Sequence, residues 1–266
     1  MINWFINLAF PLQAFIATIF TFSITSLGAA VVFLFRKINK SFMDAMLGFS
    51  AGVMIAASFF SLLSPAVEMA KKLNLTGWVV ASIGVILGGI LLFVGDKVFD
   101  IIETNKKVST NSGFKRCLML VTSITIHNIP EGLAIGVAFG SLAYNLDGAT
   151  IEAAWMLAIG IGIQNFPEGM SISLPLRREG LSRKKAFLFG VLSGVVEPIA
   201  SVVGAILVMK VQILLPYLLS FAAGAMIYVV VEELIPESQT NKKKALMAFF
   251  TLIGFTIMMI LDIALG

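Results

Sequence analysis

His127 and Glu131 stand four residues apart in the run IHNIPEGLAIGVAFG, from Ile126 to Gly140. Four residues is about one helical turn, so the imidazole and the carboxylate share a face. The run is otherwise largely apolar, and His127 is the single histidine of the chain. The pattern returns as QNFPEG, Gln164 to Gly169, which sets Gln164 and Glu168 on one face of a second helix. Asn128 and Asn165 lie about 100° round, beside those faces. Imidazole with carboxylate and amide oxygens suits zinc and other first-row divalent ions. Two facing helices therefore offer two adjacent pockets. One uses His127 and Gln164, the other Asn128 and Asn165, and Glu131 and Glu168 can bridge them.

A third carboxylate, Glu197, precedes Pro198 in GVVEPIASVVG. A carboxylate in mid-membrane costs a few kcal/mol on insertion scales, and three facing one cavity also repel one another. A divalent cation, or protons, would offset both terms. Pro130 and Pro167 each remove a backbone N–H and free the carbonyls of Ile126 and Ile163. Such breaks persist in a membrane where a neighbour or a cavity satisfies the exposed groups. Gly132, Gly136 and Gly140 recur at four-residue spacing, which lets a second helix approach closely. Glu232, Glu233 and Glu237 read as a solvated helix end, with Glu232 and Glu233 a candidate exit path for a cation. Met54, one of 13 methionines, reads as packing from composition alone.

The elements that must carry these residues are membrane helices. The chain has 266 residues, 58% hydrophobic and only 13% charged, against about 45–50% and about a quarter in soluble domains. Runs long enough to cross a bilayer, about 20 apolar residues, fall at roughly 10–35, 43–69, 76–98, 117–142, 153–176, 184–209, 212–236 and 245–265. The expected fold is an all-α polytopic membrane protein of eight transmembrane helices, one transporter domain over residues 1–266 without a separate soluble part. The longest connection, Phe99 to Arg116, is expected to be a flexible loop. No cleavable signal peptide is apparent. The single cysteine, Cys117, excludes an intrachain disulfide and a cysteine-cluster metal site.

All Lys and Arg residues except Lys71, Lys72 and Lys210 fall in alternate loops, beginning with the first. By the positive-inside rule those loops face the cytoplasm and both termini face out. The basic balance thus reports topology, not a nucleic-acid partner. AGVMIAASFFSLLSP (Ala51 to Pro65) in the second span and AGAMIYVVVEELIP (Ala223 to Pro236) in the seventh share their start and a late proline. They run in opposite directions, as do the spans bearing HNIPEG and QNFPEG, which fits an inverted repeat around a midplane site. Gly84 and Gly88 form a small-xxx-small spacing that fits close helix contact within the chain or in a homodimer.

HNIPEG on the fourth span, QNFPEG on the fifth and the Glu-Pro pair on the sixth resemble the ZIP family of divalent metal transporters, its prokaryotic GufA-like branch most closely. The resemblance implies a 3+2+3 arrangement, with the first and last three spans as inverted repeats around the fourth and fifth. It also implies a binuclear metal centre. One site resembles His127, Glu131, Gln164 and Glu168 with Met54; the other resembles Asn128, Glu131, Asn165, Glu168 and Glu197. Glu232 and Glu233 fall where the family has a cytoplasmic exit position, without the histidine often found there.

The expected function is import of zinc into the cytoplasm of a prokaryote across its inner membrane, by alternating access. The resemblance implies an elevator, with the first, fourth, fifth and sixth spans sliding against the others. Zinc is then the transported substrate and bound ion, with cadmium expected to bind; iron, manganese, cobalt and nickel are further candidates. No organic cofactor is expected, and the sequence lacks a G-x-x-x-x-G-K-[ST] loop for ATP. Two other readings compete. An intramembrane metal-dependent hydrolase could use a His127–Glu131 metal to activate water, but the chain has no H-E-x-x-H. A proton-coupled carrier of organic solutes could use the carboxylates as relays, but no mid-span Lys or Arg would meet an anionic solute.

Overall fold

Away from water, a chain this apolar can satisfy its own N–H and C=O groups by coiling into helices. The computed structural model is helical in all its regular structure among the described residues, which are 2–34, 39–105, 112–144, 149–178 and 180–265. In chain order the helices are α1 (Ile2–Ile6), α2 (Phe10–Leu34), α3 (Lys40–Ala57), α4 (Ser64–Lys72), α5 (Gly77–Asn105) and α6 (Ser112–Ser141). Then follow α7 (Ile151–Arg178), α8 (Arg183–Gly194), α9 (Val196–Lys210), α10 (Leu215–Val229), α11 (Ile235–Ser238) and α12 (Lys244–Leu265).

Among the described residues, six stretches are long and apolar enough to cross a membrane: Phe10–Leu34, Lys40–Lys72, Gly77–Gly95, Arg183–Lys210, Gln212–Ser238 and Lys244–Ala264. The sequence led us to expect eight. The two that differ are α6 and α7, which have ample length at 30 and 28 residues. The polar hexamer of α7 lowers its hydropathy, whereas several side chains of α6 lie outside the described residues. The expected loop from Phe99 to Arg116 is also largely helical, since α5 runs to Asn105 and α6 starts at Ser112. Residues 106–111 lie outside the described residues.

Proline acts differently at different positions. The helices α6 and α7 continue through Pro130 and Pro167. The expected sixth span instead breaks at Val195, between α8 and α9. Pro198, in the first turn of α9, cannot donate to the carbonyl of Gly194, four residues back, and the helix restarts at Val196. The two repeat segments share a third outcome. From α3 to α4 the chain passes through a π-helical turn, Ser58–Leu63, and from α10 to α11 through another, Val230–Leu234. Each begins four residues after the methionine of the shared motif, Met54 or Met226, and closes just before Pro65 or Pro236. Because the proline has no N–H, the residue before it reaches five residues back: Ser64 N–H to Phe59 O, and Ile235 N–H to Val230 O. The widened turn is thus a consequence of the proline shared by the two segments.

Four helix pairs make the closest crossings: α2 with α7, α6 with α9, α3 with α12, and α5 with α10. Glycine permits each crossing. A Cβ on Gly28 of α2 would overlap the carbonyl of Phe166 on α7, and one on Gly132 of α6 would overlap that of Glu197 on α9. Likewise Gly254 of α12 meets the carbonyl of Phe49, and Gly88 of α5 meets that of Phe221. Gly84 also packs inside the chain, against Ser220, so the small-residue patch on α5 is an internal contact. Contacts of α3 with α7 and of α10 with α6 join the pairs into one bundle. Ile86, Leu87, Leu252 and Ile260 on α5 and α12 turn outward, as helices facing lipid do. The polar faces of α6 and α7 are left in the interior.

Candidate metal centre

Asn128, Glu131, Gln164, Asn165 and Glu197 are 0% exposed, and Glu168 is 5% exposed. They come from three helices, α6, α7 and α9, whose close approach depends on glycine at the crossing points. His127 precedes Glu131 by one turn on α6; its side chain lies outside the described residues.

Hydrogen bonds fix how the three amides point. Gln164 Nε2 donates to Glu131 Oε1 at 2.6 Å. Asn165 Nδ2 donates to Glu197 Oε1 and Oε2 at 3.0 and 3.1 Å. Asn128 Nδ2 donates to the carbonyl of Ser193 at 3.0 Å, beside the break between α8 and α9. Every acceptor here is a carboxylate or a carbonyl, so each amide must turn its nitrogen that way and its oxygen the other. Among the described residues, the three amide oxygens, Asn128 Oδ1, Gln164 Oε1 and Asn165 Oδ1, are buried without a partner, and so are Glu131 Oε2 and Glu168 Oε2.

Five unpartnered buried oxygens are a large departure for a folded interior, where such atoms are nearly always bonded. They also all fall on residues that the spacing of the two hexamers singled out. Oxygens from amides and carboxylates are donors that divalent cations accept, and a cation would answer both the missing partners and the buried negative charge. The partners that the carboxylates do have are neutral amides and hydroxyls. Among the described residues, no three His, Cys, Asp or Glu side chains group closely enough to hold a metal unaided. The donor set therefore depends on the amides, with His127 beyond what is described.

The remaining expected residues are placed less directly. Met54 is buried on α3, at 1% exposure. One turn before it, Ser50 Oγ lies 3.4 Å from the carbonyl of Gln164, so this face of α3 meets α7 at the site. Glu232 and Glu233 lie in the second π turn, Glu232 exposed and Glu233 half-buried.

Two features escaped the sequence reading. One is a hydroxyl ladder on α2, where Thr21 Oγ1 reaches Glu197 Oε2 at 2.6 Å and Thr18 Oγ1 pairs with Ser201 Oγ at 2.8 Å. Its signal was available, since Thr18, Thr21 and Thr25 recur at helical spacing. The other is a cavity of about 210 Å³ lined by residues of α4, α6, α7 and α12, including Ser141, Thr150, Leu157 and Asp262. There Ser61 Oγ donates to Asp262 Oδ1 at 2.5 Å, while Asp262 Oδ2 is buried without a partner. Ala138 and Leu157 in its wall are each seven residues, about 10 Å along the helix, from Glu131 and Gln164. The cavity thus opens about two turns from the centre.

Comparison with known proteins gives the family of the chain. The family model described as "ZIP Zinc transporter" matches residues 103–262. The zinc transporter ZIP11 of Xenopus tropicalis is 37% identical, over 96% of this chain and 98% of its own. The zinc transporter GufA of Myxococcus xanthus is 32% identical, over 94% of this chain and 98% of its own. The zinc transporter ZIPB of Bordetella bronchiseptica is 37% identical, over 92% of this chain and 79% of its own. The fold is that of a multi-pass membrane protein with carboxylates and amides buried in its interior. The chain belongs to the ZIP family. Its relatives come from vertebrates and bacteria alike, so family membership leaves the source open.

Proposed function

We propose that this protein carries divalent metal ions, zinc first, from the outer side of a membrane to the cytoplasm by alternating access at the α6–α7 centre. Family membership makes it a transporter and not an enzyme. The observation that carries the reading is the set of five buried, unpartnered oxygens on Asn128, Glu131, Gln164, Asn165 and Glu168. Two pockets sharing Glu131 and Glu168, one completed by His127 and Met54, form the binuclear site of this reading. Cadmium fits the same donors, and Met54 as a ligand would favour it and zinc over manganese. The charge bias of the loops supports a topology with both termini outside.

The packing supports eight spans in a 3+2+3 inverted repeat, with α6 and α7 as the central two. Exchanging the halves maps α2–α7 onto α9–α6 and α3–α12 onto α10–α5, and it maps one π turn onto the other. The same pairing supports an elevator. The bundle of α2, α6, α7, α8 and α9 holds the site, and α3, α4, α5, α10, α11 and α12 form the frame. On this reading the Asp262 cavity is the outer approach and Glu233 marks the inner one.

Uptake of radioactive zinc into proteoliposomes tests the proposal. The wild type should accumulate zinc, and Glu131→Ala/Glu168→Ala should reduce uptake to the level of empty vesicles. Uptake by the double variant at the wild-type rate would sink the reading. Competition by unlabelled cadmium, iron, manganese, cobalt and nickel then orders the other ions.

A further inference from the structure

Within the acidic part of the centre, Glu197 stands apart. Both of its oxygens have partners, whereas Glu131 and Glu168 each keep one without. Asn165 Nδ2 reaches both Glu197 oxygens, and Thr21 Oγ1 reaches Oε2 at 2.6 Å. Thr25 Oγ1 is farther, at 3.5 Å from Oε1. Thr21 has a second acceptor, the carbonyl of Thr18 at 3.1 Å. Its single proton belongs to the carboxylate, the charged and nearer acceptor. For Thr25 the order is reversed, since the carbonyl of Thr21 is nearer, at 3.2 Å. Thr21 is therefore the hydroxyl that anchors Glu197.

We propose that Thr21 is a positioning residue for the second metal pocket. It holds the Glu197 carboxylate, Glu197 holds the Asn165 amide nitrogen, and Asn165 Oδ1 is thereby kept turned away and available to the cation. The Glu197 carboxylate thus links the Thr21 hydroxyl to the Asn165 amide. This inference rests on the metal-centre reading above. A hydroxyl suits the task because it fixes the carboxylate without cancelling its charge. A Lys or Arg in its place would neutralise the charge that draws the cation. Outer partners of this kind typically alter metal affinity about 10–100-fold when removed.

Calorimetric titration of the purified full-length protein with Zn²⁺ tests this. The wild type should bind two ions. Thr21→Val, equal in volume but without the donor, should weaken one of the two sites about tenfold or more and leave the other unchanged. Thr21→Ser should restore the weaker site. Thr18→Val, one turn away on the same ladder but bonded to Ser201, should leave both sites alone. Thr21→Val/Glu197→Gln should bind no more weakly than Glu197→Gln, because Thr21 acts through Glu197. If Thr21→Val does not fold, Thr21→Ser against Thr21→Ala repeats the comparison, since both lack the methyl and differ in the hydroxyl. Two wild-type-like isotherms for the variants lacking the hydroxyl, or additive losses in the double variant, overturn the positioning role while leaving the metal centre intact. Wild-type protein that binds no zinc, or Glu131→Ala that binds it normally, overturns the metal centre itself and this inference with it.

Discussion

Gln164 Nε2 lies 2.6 Å from Glu131 Oε1, a bond between the amide of one hexamer and the carboxylate of the other. It joins α6 to α7 at the centre of the bundle and decides the direction of both groups. Because the nitrogen faces Glu131, Gln164 Oε1 is left unpartnered, and so is Glu131 Oε2 on the far side of the carboxylate. On the proposed reading, this one hydrogen bond presents two oxygens to a cation.

Gln164→Leu removes that donor and leaves a fully buried carboxylate with neither oxygen bonded among the described residues. Such a loss costs about 1–3 kcal/mol, or more for a charged group. The variant should unfold at a lower temperature than the wild type without metal. Zinc should raise the wild-type midpoint with concentration, as any ligand of the folded state does, and raise that of the variant far less. Gln164→His keeps a ring N–H for Glu131 and adds a nitrogen donor, so it should retain transport and change the order of metals in competition. Equal zinc shifts for Gln164→Leu and the wild type would remove Gln164 from the donor set.

How much of this was legible beforehand follows from periodicity. The two hexamers put chemistry at a spacing of four on helices, and all of their described acidic and amide side chains are buried at one centre. The repeat between Ala51–Pro65 and Ala223–Pro236 was also legible, down to the proline. Its consequence was not, because a proline permits a kink, a break or a widened turn, and the packing around it chooses. Pro130, Pro198 and Pro65 show three different outcomes. Thr21 was missed because a hydroxyl in an apolar helix usually bonds its own backbone, and only the crossing of α2 with α9 brings it to Glu197. Asp262 was missed because an acid near the end of an apolar run reads as interfacial.

A second bond network lies away from the centre and separates stability from transport. Asn241 Nδ2 donates to Asp44 Oδ2 at 2.8 Å and to Ser41 Oγ at 3.0 Å, and Ser238 Oγ donates to the carbonyl of Asp44 at 2.7 Å. Asp44 is 2% exposed, so these bonds tie the start of α3 to the turn between α11 and α12 through a buried carboxylate. Asn241→Ala should lower stability by about 1–3 kcal/mol, read as a lower thermal midpoint. Zinc affinity of the folded protein should stay within about twofold, since no donor of the centre is touched. A change in zinc affinity without a change in midpoint would place this network in the transport machinery instead.

The Asp262 cavity makes the last prediction. Asp262 Oδ1 accepts from Ser61 Oγ, and Oδ2 is buried with no partner beside a cavity that ends about two helical turns from Glu131. A carboxylate there concentrates cations at the mouth of the path without belonging to the centre. Asp262→Asn keeps the shape and the bond to Ser61 but removes the charge. It should raise the zinc concentration needed for half-maximal uptake several-fold while the maximal rate changes little. The purified variant should still bind two zinc ions with wild-type affinity at the centre, because every donor on α6, α7 and α9 is intact. The loss should be steeper at low ionic strength and shrink as salt screens the charge. If Asp262→Asn instead abolishes binding at the centre, Asp262 is a ligand and the path is shorter than the two turns between them imply. If uptake is unchanged at every zinc concentration, the cation reaches Glu131 by another route.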